Sequence, residues 1–185
     1  MSRISAVDRA AWAILAGGVV AYPTESVFGL GCDPLEATAV ARILAIKRRS
    51  VGSGLILLAA DVGQLEAYIR PAPAERERML ASWPGPVTWV VAATPAVPAW
   101  VTGGRDTVAV RVTAEPLAAA LCRRAGMAIV STSANRSGRP PARSTLQTRR
   151  RFSADVDQIL PGAVGGRARP SEIRLASSGK VLRAG

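Results

Sequence analysis

Short apolar runs and helical repeats take turns along this chain, and that alternation limits the fold more than any other feature. Read as strands, the runs are VVAY (19–22), GLILLAA (54–60), VTWVVAA (87–93), TVAVRV (107–112), MAIVS (127–131), EIRLA (172–176) and KVLR (180–183). Between them, apolar residues recur at helical spacing in AVDRAAWAILA (6–16), LEATAVARILAIK (35–47), EPLAAALCRRAG (115–126) and STLQTRRRF (144–152), with APAERERMLASW (72–83) a further helix. Ser5 is placed to cap the first helix, Asp33 and Pro34 to open the second, and Asp61 to cap one after the second strand. Helices interleaved with strands of this length predict an α/β (α+β) fold: one domain spanning residues 1–185, a twisted mixed sheet with helices packed on its faces. With 49% hydrophobic residues in 185, the chain can bury one substantial core.

Composition removes several function classes. The chain contains no histidine, so Ser-His and Cys-His mechanisms and the usual neutral-pH base are excluded. Cys32 and Cys122 lack CxxC spacing and a partner for zinc, and read as buried reduced thiols. The uncharged stretch that begins at Ala10 is broken by Gly17-Gly18 and Pro23, unlike the roughly 20 apolar residues of a membrane span. Asp8 sits among the first basic residues and a helix starts almost at once, unlike a cleaved leader. The expectation is a cytoplasmic protein without a membrane partner.

The formal charge of +11 is unevenly spread: residues 1–92 carry 9 basic and 8 acidic side chains, residues 93–185 carry 15 and 5. A polyanion, either RNA or a phosphate-bearing ligand, is the partner such a field suits, although a solvated basic face accounts for it equally.

Three loops collect polar groups: Pro23-Thr24-Glu25-Ser26, Trp83-Pro84-Gly85-Pro86-Val87-Thr88, and Ser131 to Gly138. The first and third are expected to form walls of a ligand crevice at strand ends, the second a rigid corner. In the third, hydroxyls, backbone N–H groups and Gly138 beside Arg136 and Arg139 could surround an anion without a P-loop. Lys47 is one of only two lysines against 22 arginines. It is either a compact charge that its site requires, next to the planar fork of Arg49, or a surface cation at a helix end. Arg111 interrupts an apolar strand and needs an anionic partner, whether an internal carboxylate or a ligand.

Together YPTESVFGLGCDP, Lys47-x-Arg49, GLIL, WPGPVT, DTVAVRV, STSANRSGRPP, PSEIR and the terminal LR resemble the YrdC-like family of threonylcarbamoyl-adenylate synthases, in its short, TsaC-type branch. Eight motifs in register cover essentially the whole chain. The resemblance implies a twisted α/β domain with a basic cleft that converts L-threonine, bicarbonate or CO2, and ATP with Mg2+ to threonylcarbamoyl-AMP and pyrophosphate. Partner proteins would then transfer the threonylcarbamoyl group to position 37 of tRNA. By position, the resemblance assigns Thr24, Arg111 and Ser131 to threonine. It assigns Lys47, Arg49, Thr107, Ser133, Asn135, Ser171 and Arg183 to the nucleotide, with Lys47 and Arg49 catalytic. Two departures are visible: Ser50 stands where the family has proline, and Ser26 where many relatives have threonine.

The competing expectation is a tRNA- or double-stranded-RNA-binding module without catalysis, suggested by the basic half and Arg149-Arg150-Arg151. The retained set of Lys47, Arg49, Ser133 and Asn135 favours the enzyme, since RNA binding requires charge but not that combination.

Overall fold

The computed structural model describes residues 4–185. Its helices are α1 (Ala6–Leu15), α2 (Ala37–Lys47), α3 (Pro73–Leu80), α4 (Ala99–Thr102), α5 (Pro116–Ala125) and α6 (Thr145–Phe152). Its strands are β1 (Val20–Pro23), β2 (Phe28–Gly31), β3 (Ile56–Ala59), β4 (Val87–Ala92), β5 (Thr107–Val112), β6 (Ile129–Ser133), β7 (Gln158–Ile159), β8 (Glu172–Leu175) and β9 (Val181–Arg183). The nine strands form one sheet in the order β7-β1-β2-β6-β3-β5-β4-β8-β9. It is mixed: β1–β7, β3–β5 and β4–β8 are parallel, whereas β1–β2, β2–β6, β3–β6, β4–β5 and β8–β9 are antiparallel.

Local chemistry sets the helix ends. Ser5 and Asp8 close a reciprocal capping box at the start of α1. Glu115 accepts from the Ala118 amide at 2.8 Å, Pro116 occupies the first turn, and Gly126 in the left-handed region ends α5. Two caps differ from expectation. The second helix begins at Ala37 with Glu36 as its cap, because Asp33 spends its carboxylate on the Leu35 amide in a local turn at 2.8 Å. Asp61 caps only a short 3-10 turn, Val62–Leu65.

The stretch from Ala21 to Pro34 is also not a single loop. It contains a hairpin, with Tyr22 paired to Gly29 and Pro23 to Phe28. The strand FGLG was missed because alternate glycines remove the β-branched signal. Their purpose is close approach: a Cβ on Gly31 would lie 2.8 Å from the Tyr22 ring, and one on Gly29 would lie 3.2 Å from it. The bare backbone of β2 lets Tyr22 reach across to β6.

Residue alternation sorts the core onto two faces. Ala21, Leu57, Ala59, Val108, Val110 and Val130 face α2 and α6 with Val40, Ile43 and Phe152. Val20, Tyr22, Leu58 and Ile129 face α1 and α5 with Ala10, Ile14, Leu121 and Cys122. On this second face the two helices cover only part of the sheet. Further along it, Ile56, Ala109, Arg111, Ser131, Val90 and Ile173 line an open cavity instead. Both cysteines are free and buried, and burial pushes the Cys122 thiol up to about 12. Among the described residues no helix is long and apolar enough to cross a membrane.

Candidate active site

The cavity holds about 570 Å3 and is lined by strand residues, by the β1–β2 turn and by the C-terminal hairpin. Thr24, Arg49, Thr107, Arg111, Ser131, Ser133, Ser171 and Arg183 all face it, eight of the ten residues singled out in the sequence. Lys47 and Asn135 do not.

At one end the turn after β1 is closed by Thr24, whose amide and hydroxyl both donate to the Val27 carbonyl, at 3.0 and 2.7 Å. The Thr24 oxygen keeps its lone pairs for the cavity. Ser131 Oγ accepts from the buried Tyr22 hydroxyl at 2.8 Å, which leaves the serine proton free to donate to a ligand. Arg111, buried in β5, lies beside Glu25, with Nη2 to Oε2 at 3.4 Å. Of the two partners expected as alternatives for this arginine the internal carboxylate is present, and the side chain also faces the cavity.

At the other end, Arg183 donates to the Ser171 carbonyl at 2.7 Å, and Arg49 donates to the Ser53 carbonyl at 3.1 Å. Ser171 Oγ is within 3.2 Å of the Thr88 hydroxyl. Burial pulls both guanidiniums below the ordinary arginine value, and for Arg183 the charges of Arg111 and Arg49 add to this. With Arg105, four guanidiniums line the cavity, no carboxylate is among the described lining residues, and of the four only Arg111 has an acidic partner among the described residues, Glu25 behind it. An anion entering it would relieve that repulsion.

Lys47 is neither in the cavity nor on the surface. Only 4% of the residue is exposed, and its Nζ donates to Ser133 O at 2.5 Å, Asn135 Oδ1 at 3.0 Å and Asn135 O at 3.2 Å. Burial, with the nearby Arg49 charge, lowers its pKa to about 8. Arg48, the C-cap of α2, sits in the left-handed region at φ 52° and ψ 52°. That turn separates Lys47, directed to the end of β6, from Arg49, directed to the cavity. Asn135 borders a second cavity of about 430 Å3 with Arg136, Arg139 and Arg151. The Lys47–Ser133–Asn135 knot therefore lies between two basic cavities.

Ser26, in the loop expected to form a crevice wall, does line the cavity, whereas sequence reading missed Arg105. Arg105 donates to Thr102 O and Gly52 O, at 3.1 and 2.9 Å, and holds the 51–54 loop against α4. Its one signal was its position two residues before β5. The segment from Trp83 to Pro86 contributes nothing to the lining. It is the expected corner, in which the Trp83 indole donates to Val87 O at 2.8 Å.

A sequence profile of the Sua5/YciO/YrdC family, described as "Telomere recombination", matches residues 13–185. The chain belongs to that family. It is 58% identical to the threonylcarbamoyl-AMP synthase of Nitrosococcus oceani over 178 residues, 96% of each chain. With that of Halorhodospira halophila it shares 57% over 178 residues, 96% of this chain and 93% of the other. Among solved structures, P. abyssi Sua5 complexed with L-threonine matches with a TM-score of 0.90 at 35% identity, covering 98% of this chain and 55% of that one. This chain thus spans about half the length of that protein. E. coli YciO matches with a TM-score of 0.84 at 27% identity, over 96% of this chain and 87% of the other.

Proposed function

We infer that this protein is a threonylcarbamoyl-AMP synthase, an enzyme that joins L-threonine, bicarbonate or CO2, and ATP into threonylcarbamoyl-AMP with release of pyrophosphate. One observation carries the reading: a cavity whose lining combines four guanidiniums with nine hydroxyl-bearing residues and no carboxylate, in a chain closely related to enzymes of that name. In the proposed arrangement Arg111 pairs with the threonine carboxylate, and the oxygens of Thr24 and Ser131 meet its polar groups. Arg49 and Arg183 face the phosphates, and Thr107, Ser133 and Ser171 supply hydroxyls along the nucleotide. ATP enters as its magnesium complex, the ion held by phosphate oxygens, which suits a lining of cations and hydroxyls.

The amine of threonine and CO2 form a carbamate, and a carbamate oxygen attacks the α-phosphorus as pyrophosphate leaves. Such phosphoryl chemistry rests on alignment and charge neutralisation, which the arginines supply in a chain without histidine. Of the expected catalytic pair, Arg49 faces the cavity and is the proposed catalytic residue, and Lys47 is proposed as its positioning partner. From its present position Lys47 acts at the β6 end, where its ammonium orders Ser133 beside the phosphates. The product serves tRNA modification in the cytoplasm through partner proteins. A second reading, direct tRNA or double-stranded-RNA binding, is supported by Arg136, Arg139 and Arg151 around the second cavity.

The test is pyrophosphate release from purified protein. Release that requires ATP, threonine and bicarbonate together supports the synthase. Equal release with threonine or bicarbonate omitted refutes it.

A further inference from the structure

Glu25 does not line the cavity, yet it is the acid beside the arginine that does. Its Oε1 accepts from Thr113 Oγ1 at 2.7 Å. Its Oε2, 3.4 Å from Arg111 Nη2, is buried and accepts no hydrogen bond, and Arg111 Nε is likewise buried with no partner. The two side chains are 11% and 8% exposed. The backbone around Glu25 is held from outside: Gly165 N donates to Thr24 O and Arg167 N to Glu25 O, both at 3.0 Å. Gly165 packs so closely that a Cβ there would lie 3.0 Å from Glu25 Cα.

A saturated structural ion pair would use its donors and acceptors on one another. This one is close enough for Coulombic attraction in a poorly solvated setting but leaves a donor and an acceptor uncommitted. An arrangement of this kind balances and orients the guanidinium without saturating it, and Arg111 itself lines the cavity in which another anion would sit. Thr113 completes it, because its hydroxyl fixes the carboxylate and also accepts from the Glu115 amide at 3.1 Å, tying the pair to the start of α5.

We propose that Glu25 is a positioning residue for substrate binding, which orients and charge-balances the Arg111 guanidinium so that its free edge receives the carboxylate of the amino-acid substrate. The proposal rests on the assignment of Arg111 to that carboxylate. Because Glu25 acts through Arg111, its effect belongs to the amino acid and not to the nucleotide.

The test is steady-state pyrophosphate release, with threonine and ATP varied separately, in the full chain. Glu25→Gln keeps the size of the side chain and removes its charge. It is expected to raise the KM for threonine by about tenfold or more, the scale for loss of a charged contact, while the KM for ATP stays within about twofold. Glu25→Asp, which keeps the charge but withdraws it, recovers part of the loss. Thr113→Val, which releases the carboxylate without removing it, gives a smaller rise in the same constant and serves if Glu25→Gln does not fold. In an Arg111→Lys background, Glu25→Gln is expected to add little. The proposal is overturned if the two KM values rise together, if neither moves, or if the Glu25 effect persists undiminished in Arg111→Lys. An Arg111→Lys protein with unaltered threonine KM removes the assignment of Arg111 itself. A raised KM there with none in Glu25→Gln removes only the role of Glu25.

Discussion

The Lys47 ammonium lies 2.5 Å from the Ser133 carbonyl oxygen, and the same group bonds both the backbone and the side-chain oxygen of Asn135. A lysine at the end of α2 thereby fastens the end of β6, where Ser133 enters the cavity and Asn135 turns to its neighbour. Lys47→Ala would take the ammonium from three oxygens, leaving Ser133 O with the Asn135 amide at 2.9 Å and Asn135 Oδ1 with the Ser133 hydroxyl at 2.6 Å but Asn135 O with no described donor, at a cost of about 1–3 kcal/mol in stability. It would also remove a preorganised charge beside the proposed phosphate site. The expected loss in kcat/KM is about 100-fold or more, and Lys47→Arg should recover only part, since a planar fork cannot occupy a site shaped for a compact ammonium. Pyrophosphate release by the three proteins, with circular dichroism to verify folding, measures this. Near wild-type turnover in a folded Lys47→Ala would remove Lys47 from any role in the reaction.

The lowered pKa of Lys47, about 8 against an ordinary 10.5, makes a pH prediction. Because the folded value is depressed, the unfolded chain binds more protons between about pH 8 and 10.5. The contribution of this group to stability therefore rises with pH across that window. Activity moves the other way: as the ammonium loses its proton above about pH 8, kcat should fall. Lys47→Arg should lack that alkaline limb, since guanidinium stays protonated. A limb of unchanged midpoint in Lys47→Arg would assign it to another group.

Tyr22 tests the inner wall. Its hydroxyl donates to Ser131 Oγ at 2.8 Å from a fully buried position, so Ser131 has its own proton to give. Tyr22→Phe leaves the ring packed against Gly29 and Gly31 but frees Ser131 to turn. A loss of about 0.5–1.5 kcal/mol is expected, visible as a several-fold rise in the KM for threonine with little change for ATP. An unaltered threonine KM would show that Ser131 needs no such support.

Much of this site was legible because polar residues at strand ends are unusual where the flanking runs are apolar: Thr24, Ser131, Ser133 and Arg111 all announce themselves in that way. Local patterning identified seven of the nine strands for the same reason. What escaped it depends on contacts distant in sequence. Two glycines in FGLG look like loop until Tyr22 lies across them. Gln158–Ile159 becomes a strand only through pairing with Val20–Ala21. Lys47 could be a surface cation or a cavity residue by its sequence position, and is neither, because its acceptors lie 86 and 88 residues further on. Glu25 belongs to the quoted motif, yet its role needs Arg111 and Thr113 beside it.

Ser50, at the position where the resemblance in sequence leads one to expect proline, has φ −71°, inside the range a proline ring imposes. Its amide donates none of the described hydrogen bonds. Ser50→Pro should therefore stiffen the unfolded chain more than it perturbs the fold, and raise stability by about 0.4–1 kcal/mol. Urea denaturation gives the value. A lowered midpoint would mean that Arg49 cannot accommodate a following proline.

The last prediction concerns RNA. Arg149, Arg150 and Arg151 occupy the last turn of α6 and are exposed, and Arg151 also borders the second cavity, where it donates to Pro140 O at 2.9 Å. A helix end is a favourable place for three cations on its own account, so the run serves the fold whether or not RNA binds. The two roles separate by salt. Each phosphate contact contributes about −0.9 to the slope of log affinity against log salt on a duplex. Replacing all three arginines with serine should flatten that slope by about 2 to 3 and weaken binding of a tRNA transcript at every salt concentration. Adenylate synthesis should stay within about twofold, because none of the three lines the larger cavity. Filter binding across a salt series, alongside pyrophosphate release, measures both. An unchanged slope with intact folding would place any RNA surface elsewhere, and a parallel loss of synthesis would show that α6 supports the substrate cavity instead.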